Sequence, residues 1–270
     1  MKRTKRSRRE SGGRPVVLTI AGLDPSGGAG LVADSLRIAR AGCHPVAVAS
    51  ALTIQTPRGV SKCIPVDLHT FRQQLRSLFR EMPIRAVKTG LLPSAGHLRA
   101  VAAEVPRRVP IVVDPVLASS GGFAFLDEPG IRELLRTLIP RATVVTPNLD
   151  EAELLTQICV HSAQGRRLAA AALVELGAQV ALVKGGHGGG RAVIDVIATD
   201  LGTRVEIEEF RTLRLAKAAH GTGCALSAIC AARLALGDSP LRALARARAL
   251  VRRDLRRAMP LGAGRPLLGL

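Results

Sequence analysis

The chain has 270 residues, 47% of them hydrophobic but only 2% aromatic, with five Phe and neither Trp nor Tyr. Its core must therefore be built from Ala, Val, Leu and Ile, and nucleic-acid recognition by base stacking on aromatics is disfavoured. The formal net charge of +18 keeps open a charge-driven, non-specific contact with nucleic acid but says nothing about the fold.

The basic residues are densest at the start, Met1-Lys-Arg-Thr-Lys-Arg-Ser-Arg-Arg-Glu10. Residues 1–14 are expected to be a disordered, solvated tail; salt-sensitive binding to nucleic acid or an anionic membrane is the alternative. The following Ser11-Gly-Gly-Arg14 is not the apolar segment of a signal peptide. No apolar run reaches the roughly 18 residues a membrane span needs.

From Pro15 onward, short apolar runs alternate with helical patterns. Val16–Ala21 reads as a strand, Ala29 to Ala41 as a helix, and Val46–Ser50 as a strand. Asp67–Arg80 places Leu68, Phe71, Leu75, Leu78 and Phe79 near the 3, 4, 7 spacing of an amphipathic helix. Ala86–Lys88 is strand-like, Ala95–Glu104 helical and Ile111–Asp114 a buried strand. Ile131–Leu138 is helical, Thr143–Thr146 a strand, and Glu151–Leu155 opens a helix. Ser162–Leu176 is helical and Val180–Lys184 a strand. Val193–Thr199 and Arg204–Phe210 can pair antiparallel around Asp200-Leu-Gly202. Helices at Cys224–Ala235 and Pro240–Arg257 close the chain. This alternation predicts an α/β fold with a mostly parallel central sheet and helices on both faces, in one domain over residues 15–270.

Ligands of such sheets bind beyond the carboxyl ends of the strands, and the unusual polar residues fall there. Gly22-Leu-Asp-Pro-Ser-Gly-Gly-Ala-Gly30 follows the first strand. It is neither a P-loop nor a dinucleotide fingerprint, and it serves equally as a tight turn or as a place where backbone N–H groups approach an anion. His220-Gly-Thr-Gly-Cys-Ala-Leu-Ser227 opens a helix, so Gly221, Thr222, Gly223 and Cys224 would aim N–H groups at one spot, as a transferring phosphoryl group requires. Cys224 at that helix start is expected to have a lowered thiol pKa and an accessible thiolate. Thr146-Pro-Asn-Leu-Asp-Glu151 reads as a metal–phosphate site, as a capping box from Asn148 to Glu151, or as both. Asp114 and Lys184 close two further strands, the latter before a glycine-rich loop through Gly190. The five cysteines (43, 63, 159, 224 and 230) are odd in number and lack a C-x-x-C pair. No disulfide framework or zinc site is expected, and the compartment reads as reducing and cytoplasmic.

In family order and with family-like spacing, the strings Leu18–Asp34, Ala51–Val60, Lys88-Thr-Gly-Leu91, Val113-Asp-Pro-Val-Leu117, Thr146-Pro-Asn148, Lys184-Gly-Gly-His187 and His220-Gly-Thr-Gly-Cys224 resemble the hydroxymethylpyrimidine/phosphomethylpyrimidine kinases of thiamine biosynthesis. The ending Ala258-Met-Pro-Leu-Gly-Ala-Gly264 is also similar. The resemblance covers roughly residues 15 to 264 and implies a ribokinase-like fold. It further implies ATP-dependent phosphorylation of 4-amino-5-hydroxymethyl-2-methylpyrimidine, then of its monophosphate. By the same resemblance Gln55 would bond the aminopyrimidine, with Gly22, Asp34 and Leu91 nearby. Cys224 would be the catalytic residue, and Gly221, Thr222 and Gly223 the anion hole. Lys184 would hold ATP phosphates, with Asp114, Asn148 and Glu151 around a magnesium–phosphate complex in which Mg2+ has no direct protein ligand. Thr56–Val60 would be a mobile flap, and relatives imply a homodimer.

Leu91 stands where Met is common, the loop Leu117–Gly122 lacks a Lys, and Gly188–Gly190 is plain. Two alternatives stay open: a pyridoxal/pyridoxine kinase of the same fold, and a non-catalytic basic nucleic-acid-binding protein. A Cys at 224 together with Gln55 favours the pyrimidine kinases within the fold.

Overall fold

The computed structural model describes residues 13–56, 58–187, 191–215, 219–260 and 266–268. Most of the expected basic tail, Pro57 of the flap, the plain glycines 188–190 and residues 261–264 of the closing string lie outside the described residues. In chain order the elements are β1 (Val16–Leu23), α1 (Gly30–Arg40), β2 (His44–Thr56), β3 (Gly59–Pro65), α2 (Leu68–Glu81), β4 (Ile84–Thr89), α3 (Ala95–Glu104), β5 (Ile111–Val113) and α4 (Glu128–Thr137). There follow β6 (Val144–Val145), α5 (Leu149–Thr156), α6 (Ala163–Glu175), β7 (Val180–Val183), β8 (Ala192–Asp200), β9 (Val205–Leu213), α7 (Thr222–Ala235) and α8 (Pro240–Arg256).

All nine strands join one sheet in the order β3-β2-β1-β4-β5-β6-β7-β8-β9. From β2 to β7 every pairing is parallel, whereas β3 at one edge and β8 and β9 at the other run antiparallel. Strand alternation divides the core in two. Leu18, Ile20, Val87, Ile111, Val113, Val145 and Val183 pack with residues of α2 to α6, while Val17, Ala86, Val112, Val144, Val180 and Leu182 pack with α1, α7 and α8. Because β5 and β6 are buried on both faces, they are short and wholly Val or Ile. Helix starts are set locally: Asp67, Asp127 and Ser162 accept the N–H groups of Thr70, Gly130 and Gly165. No described helix is long and apolar enough to cross a membrane.

One element departs from the expected pattern. The strand read over Val46–Ser50 runs on through Thr56 and pairs with β3, which the sequence pattern does not mark, in register from Ala51↔Pro65 to Thr56↔Gly59, the last pair lying within the expected flap. This hairpin leaves Leu52 and Ile54 about half exposed. An edge ribbon with one wetted face lacks the continuous apolar signal by which buried strands are recognised.

Candidate active site

The glycine-rich turn after β1 is organised around Asp24. Its carboxylate accepts hydrogen bonds from Ser26 N at 2.9 Å, Ser26 Oγ at 2.7 Å and Ala29 N at 3.0 Å. It thus holds the turn together from inside the protein, while the first turn of α1 itself carries no side-chain cap. Gly30 is required there: its φ is +58°, and a Cβ would lie 2.2 Å from Gly22 O. Gly22 in turn lies against Leu91, whose Cδ1 would be 3.3 Å from a Cβ on Gly22.

The start of α7 is likewise uncapped. Gly221 occupies the N-cap in the left-handed region (φ 80°), and no side chain caps the first turn. The first amide inside the helical ladder is that of Ala225, bonded to Gly221 O at 2.9 Å. A Cβ on Gly221 would lie 1.8 Å from Gly28 O, so the two glycine-rich segments pack backbone to backbone. Directly beneath, Lys184 Nζ would be 3.1 Å from a Cβ on Gly223. The ammonium donates to Asp114 Oδ1 at 3.0 Å. Thr146 Oγ1 and Ser227 Oγ donate to the same carboxylate at 3.2 and 3.1 Å. Burial raises the Asp114 pKa, but Lys184, Lys88 and these donors overcome it and leave the group below its ordinary value. An open helix start above a fixed ammonium is a preformed anion site.

Thr146-Pro-Asn148 continues β6 to that place. Lys184 N donates to Pro147 O at 2.9 Å. Both arms of the predicted capping box are present: Glu151 N donates to Asn148 Oδ1 at 2.9 Å, and Asn148 N to Glu151 Oε2 at 2.7 Å. Burial pushes the Glu151 carboxyl up to about 7, with Lys184 opposing and Asp114 reinforcing.

Cys224 overturns one expectation. Its position at a helix start predicts a lowered thiol pKa, yet burial pushes it up to about 11, against the pull of Lys88 and the Gly30 N–H. The resting group is therefore a thiol. Lys88, given no role of its own by sequence reasoning, lies in the same cluster. It is fully buried at the end of β4 and donates to Asp34 Oδ2 at 2.7 Å. Burial disfavours its charge, but Asp34, Cys224 and Asp114 outweigh that and hold it protonated above the ordinary lysine range. Asp34 also accepts from Thr19 Oγ1 at 2.7 Å and has no exposed surface, so it supports the site from behind rather than forming part of its wall. A lysine in an apolar strand was the available signal, since a buried cation demands a partner.

Gln55 projects from β2, and its side-chain nitrogen lies 3.1 Å from His220 Nε2. His220 Nε2 is also 3.2 Å from Asp24 Oδ2. Thr53 Oγ1 steadies the strand through Leu23 O at 2.8 Å. Asp24 and His220 thus connect three segments, although sequence reasoning gave neither a role. The residues quoted from the sequence converge on one rim, except that Asp34 lies in its foundation and Leu91 (7% exposed) largely beneath it.

A profile of the phosphomethylpyrimidine kinases matches residues 24–268. A hydroxymethylpyrimidine/phosphomethylpyrimidine kinase of Streptomyces coelicolor is 40% identical over 93% of this chain and 92% of its own length. The thiamine biosynthesis bifunctional protein ThiED of Geobacter sulfurreducens is 39% identical, and this chain spans 51% of its length. Among solved structures, a phosphomethylpyrimidine kinase from Clostridium difficile superposes with a TM-score of 0.75 at 29% identity, covering 89% of this chain and 99% of that one. The pyridoxal kinase of Staphylococcus aureus in complex with AMP-PCP and pyridoxal reaches 0.84 at 27% identity, covering 95% and 93%. These neighbours share the ribokinase-like α/β arrangement predicted above. On the profile match and on 40% identity over 93% of its length to a named member, the chain belongs to the phosphomethylpyrimidine kinase family.

Proposed function

We propose that the chain transfers the γ-phosphoryl group of ATP to the hydroxymethyl oxygen of 4-amino-5-hydroxymethyl-2-methylpyrimidine, and then phosphorylates the monophosphate to the diphosphate. The observation that carries this reading is the uncapped start of α7 above Lys184, joined through His220 to the Gln55 amide. An amide both donates and accepts, as an aminopyrimidine edge requires.

The Gly221–Cys224 amides and Lys184 stabilise charge on the transferred group. The substrate oxygen bonds to the γ-phosphorus as the bond to the β-phosphate oxygen breaks, and ADP leaves. Cys224 would stand beside that hydroxyl, at the same uncapped first turn of α7. Because a thiol pushed up to about 11 is no base at neutral pH, the hydroxyl proton passes late to an oxygen of the transferred phosphoryl group, as a loose transition state that needs little base assistance allows. The S. aureus relative was solved with an ATP analogue, which supports ATP as donor.

The donor set suits a hydrated magnesium ion. Asp114 is already engaged by Lys184, Thr146 and Ser227, so Mg2+ would be held by phosphates and waters, with Glu151 as the nearby carboxylate. When bound, Mg2+ neutralises phosphate charge. Residues 15–270 would act as one kinase domain, with residues 1–14 as a solvated tail. A homodimer and a cytoplasmic setting, the latter in keeping with five free cysteines, complete the proposal.

A second reading, pyridoxal kinase, is favoured by the closer superposition on the S. aureus enzyme. ADP release with Mg-ATP and the pyrimidine, pyridoxal or ribose decides between them. Turnover with the pyrimidine and none with ribose is expected. Preference for pyridoxal would overturn the substrate, and no turnover with any of the three would overturn the proposal.

A further inference from the structure

A second cluster of chemically active side chains lies away from the rim, where α5 ends and α6 begins. The ligand atoms of Glu153, Cys159 and His161 lie within 4.8 Å of one another. The local fold explains this. Gln157 turns the chain in the left-handed region after α5, its N–H bonded to Glu153 O. Val160 is buried in the core at 2% exposure. On either side of it Cys159 and His161 are both exposed, with their ligand atoms close together. Val160 N donates to Glu153 Oε2 at 3.3 Å, which brings the carboxylate back to them. Arg166 Nε fixes the loop through Val160 O at 3.1 Å. Gly165 lets the Cys159 carbonyl approach to where a Cβ would be 1.9 Å away. Glu153 forms no salt bridge with a described residue in a chain otherwise rich in arginine.

We infer that Glu153, Cys159 and His161 form a zinc-binding site, with water as a fourth ligand. One sulfur, one imidazole nitrogen and one carboxylate oxygen are the donor types that tetrahedral Zn2+ accepts, whereas Mg2+ and Ca2+ require oxygen alone. Binding displaces the thiol proton of Cys159 and requires neutral His161. The spacing C-x-H, with its third ligand on the preceding helix, escapes a search for paired cysteines. The site lies at the far end of α5 from Asn148, so it pins the α5–α6 loop without taking part in phosphoryl transfer.

Titration of the chelator-treated, full-length protein with Co2+, followed by displacement with Zn2+, tests this. Because the chain lacks Trp and Tyr, a thiolate-to-cobalt charge-transfer band in the near ultraviolet is seen against little background. One equivalent of Co2+ is expected to develop the band and Zn2+ to abolish it. Cys159→Ser should eliminate it, and His161→Ala should weaken binding about 10-fold or more. Both substitutions are at exposed positions, and both variants should keep wild-type kinase turnover. Zn2+ should raise the Tm of the wild type and not that of Cys159→Ser. Absence of the band, or its survival in Cys159→Ser, would overturn the assignment.

Discussion

Replacing Lys88 with Met probes the buried charge pair behind the site. Lys88 and Asp34 have no exposed surface and lie 2.7 Å apart. Methionine fills nearly the same volume, so the cavity contribution is small. What remains is a buried Asp34 carboxylate holding only the Thr19 hydroxyl on Oδ2 and no partner on Oδ1 among the described residues. Stranding one member of such a pair costs about 3–5 kcal/mol. In the double variant Asp34→Asn/Lys88→Met both charges are gone, and its loss should fall short of the sum of the singles by about 1–3 kcal/mol. The cost also depends on pH. Burial already raises the folded Asp34 pKa above its ordinary 3.8, and removing Lys88 raises it further. The single variant therefore loses stability as pH climbs from the unfolded value through the folded one, and its deficit narrows on acidification. Without tryptophan as a probe, urea unfolding followed by far-ultraviolet circular dichroism at two pH values measures this. A deficit below about 1 kcal/mol at the higher pH, the level of an exposed pair, or strict additivity in the double variant, would refute the reasoning.

Gly221→Ala is expected to lower stability by about 1–2 kcal/mol from the left-handed backbone alone. It should lower turnover far more, because the new Cβ meets Gly28 O and must displace one of the two loops; unchanged kcat would contradict this. Glu151→Gln tests the raised carboxyl. Its folded value of about 7 against an ordinary 4.5 means that wild-type stability from this group is intact below 4.5 and lost by 7. The variant should gain about 3 kcal/mol relative to wild type across that window, and parallel stability curves would argue otherwise. Cys224→Ala should lower kcat much more than it raises KM, because the side chain stands in the uncapped first turn of α7. Cys230→Ala, buried on the same helix, serves as control, and equal losses in both would remove any special role for Cys224.

The buried parallel strands and their helices were legible in the sequence because apolar runs and helical spacing are direct consequences of burial on two faces. The capping box at Asn148 was legible for a similar reason, being a purely local arrangement. Legibility failed where the cause lay far away in the chain. The pairing of Lys88 with Asp34 spans 54 residues and that of His220 with Asp24 spans 196, distances over which local patterns carry no information. Cys224 shows the same limit: the helix start was readable, but the burial that reverses its effect on the thiol depends on how α7 packs against α1 and β4. The strand β3 was missed because its outer face is wet and its residues mix Ser, Lys and Cys with aliphatics.

The antiparallel ribbon at the sheet edge has an evolutionary consequence. The anion hole, Lys184, Asp114 and Glu151 issue from the parallel strands and the helices that follow them, whereas Gln55 comes from a hairpin appended at the flank. Rewriting the hairpin would leave the parallel strands and their following helices in place, so the flank at Gln55 can diverge separately from them. His220 sets the limit on that freedom, because the imidazole touching Gln55 also adjoins the first glycine of the hole.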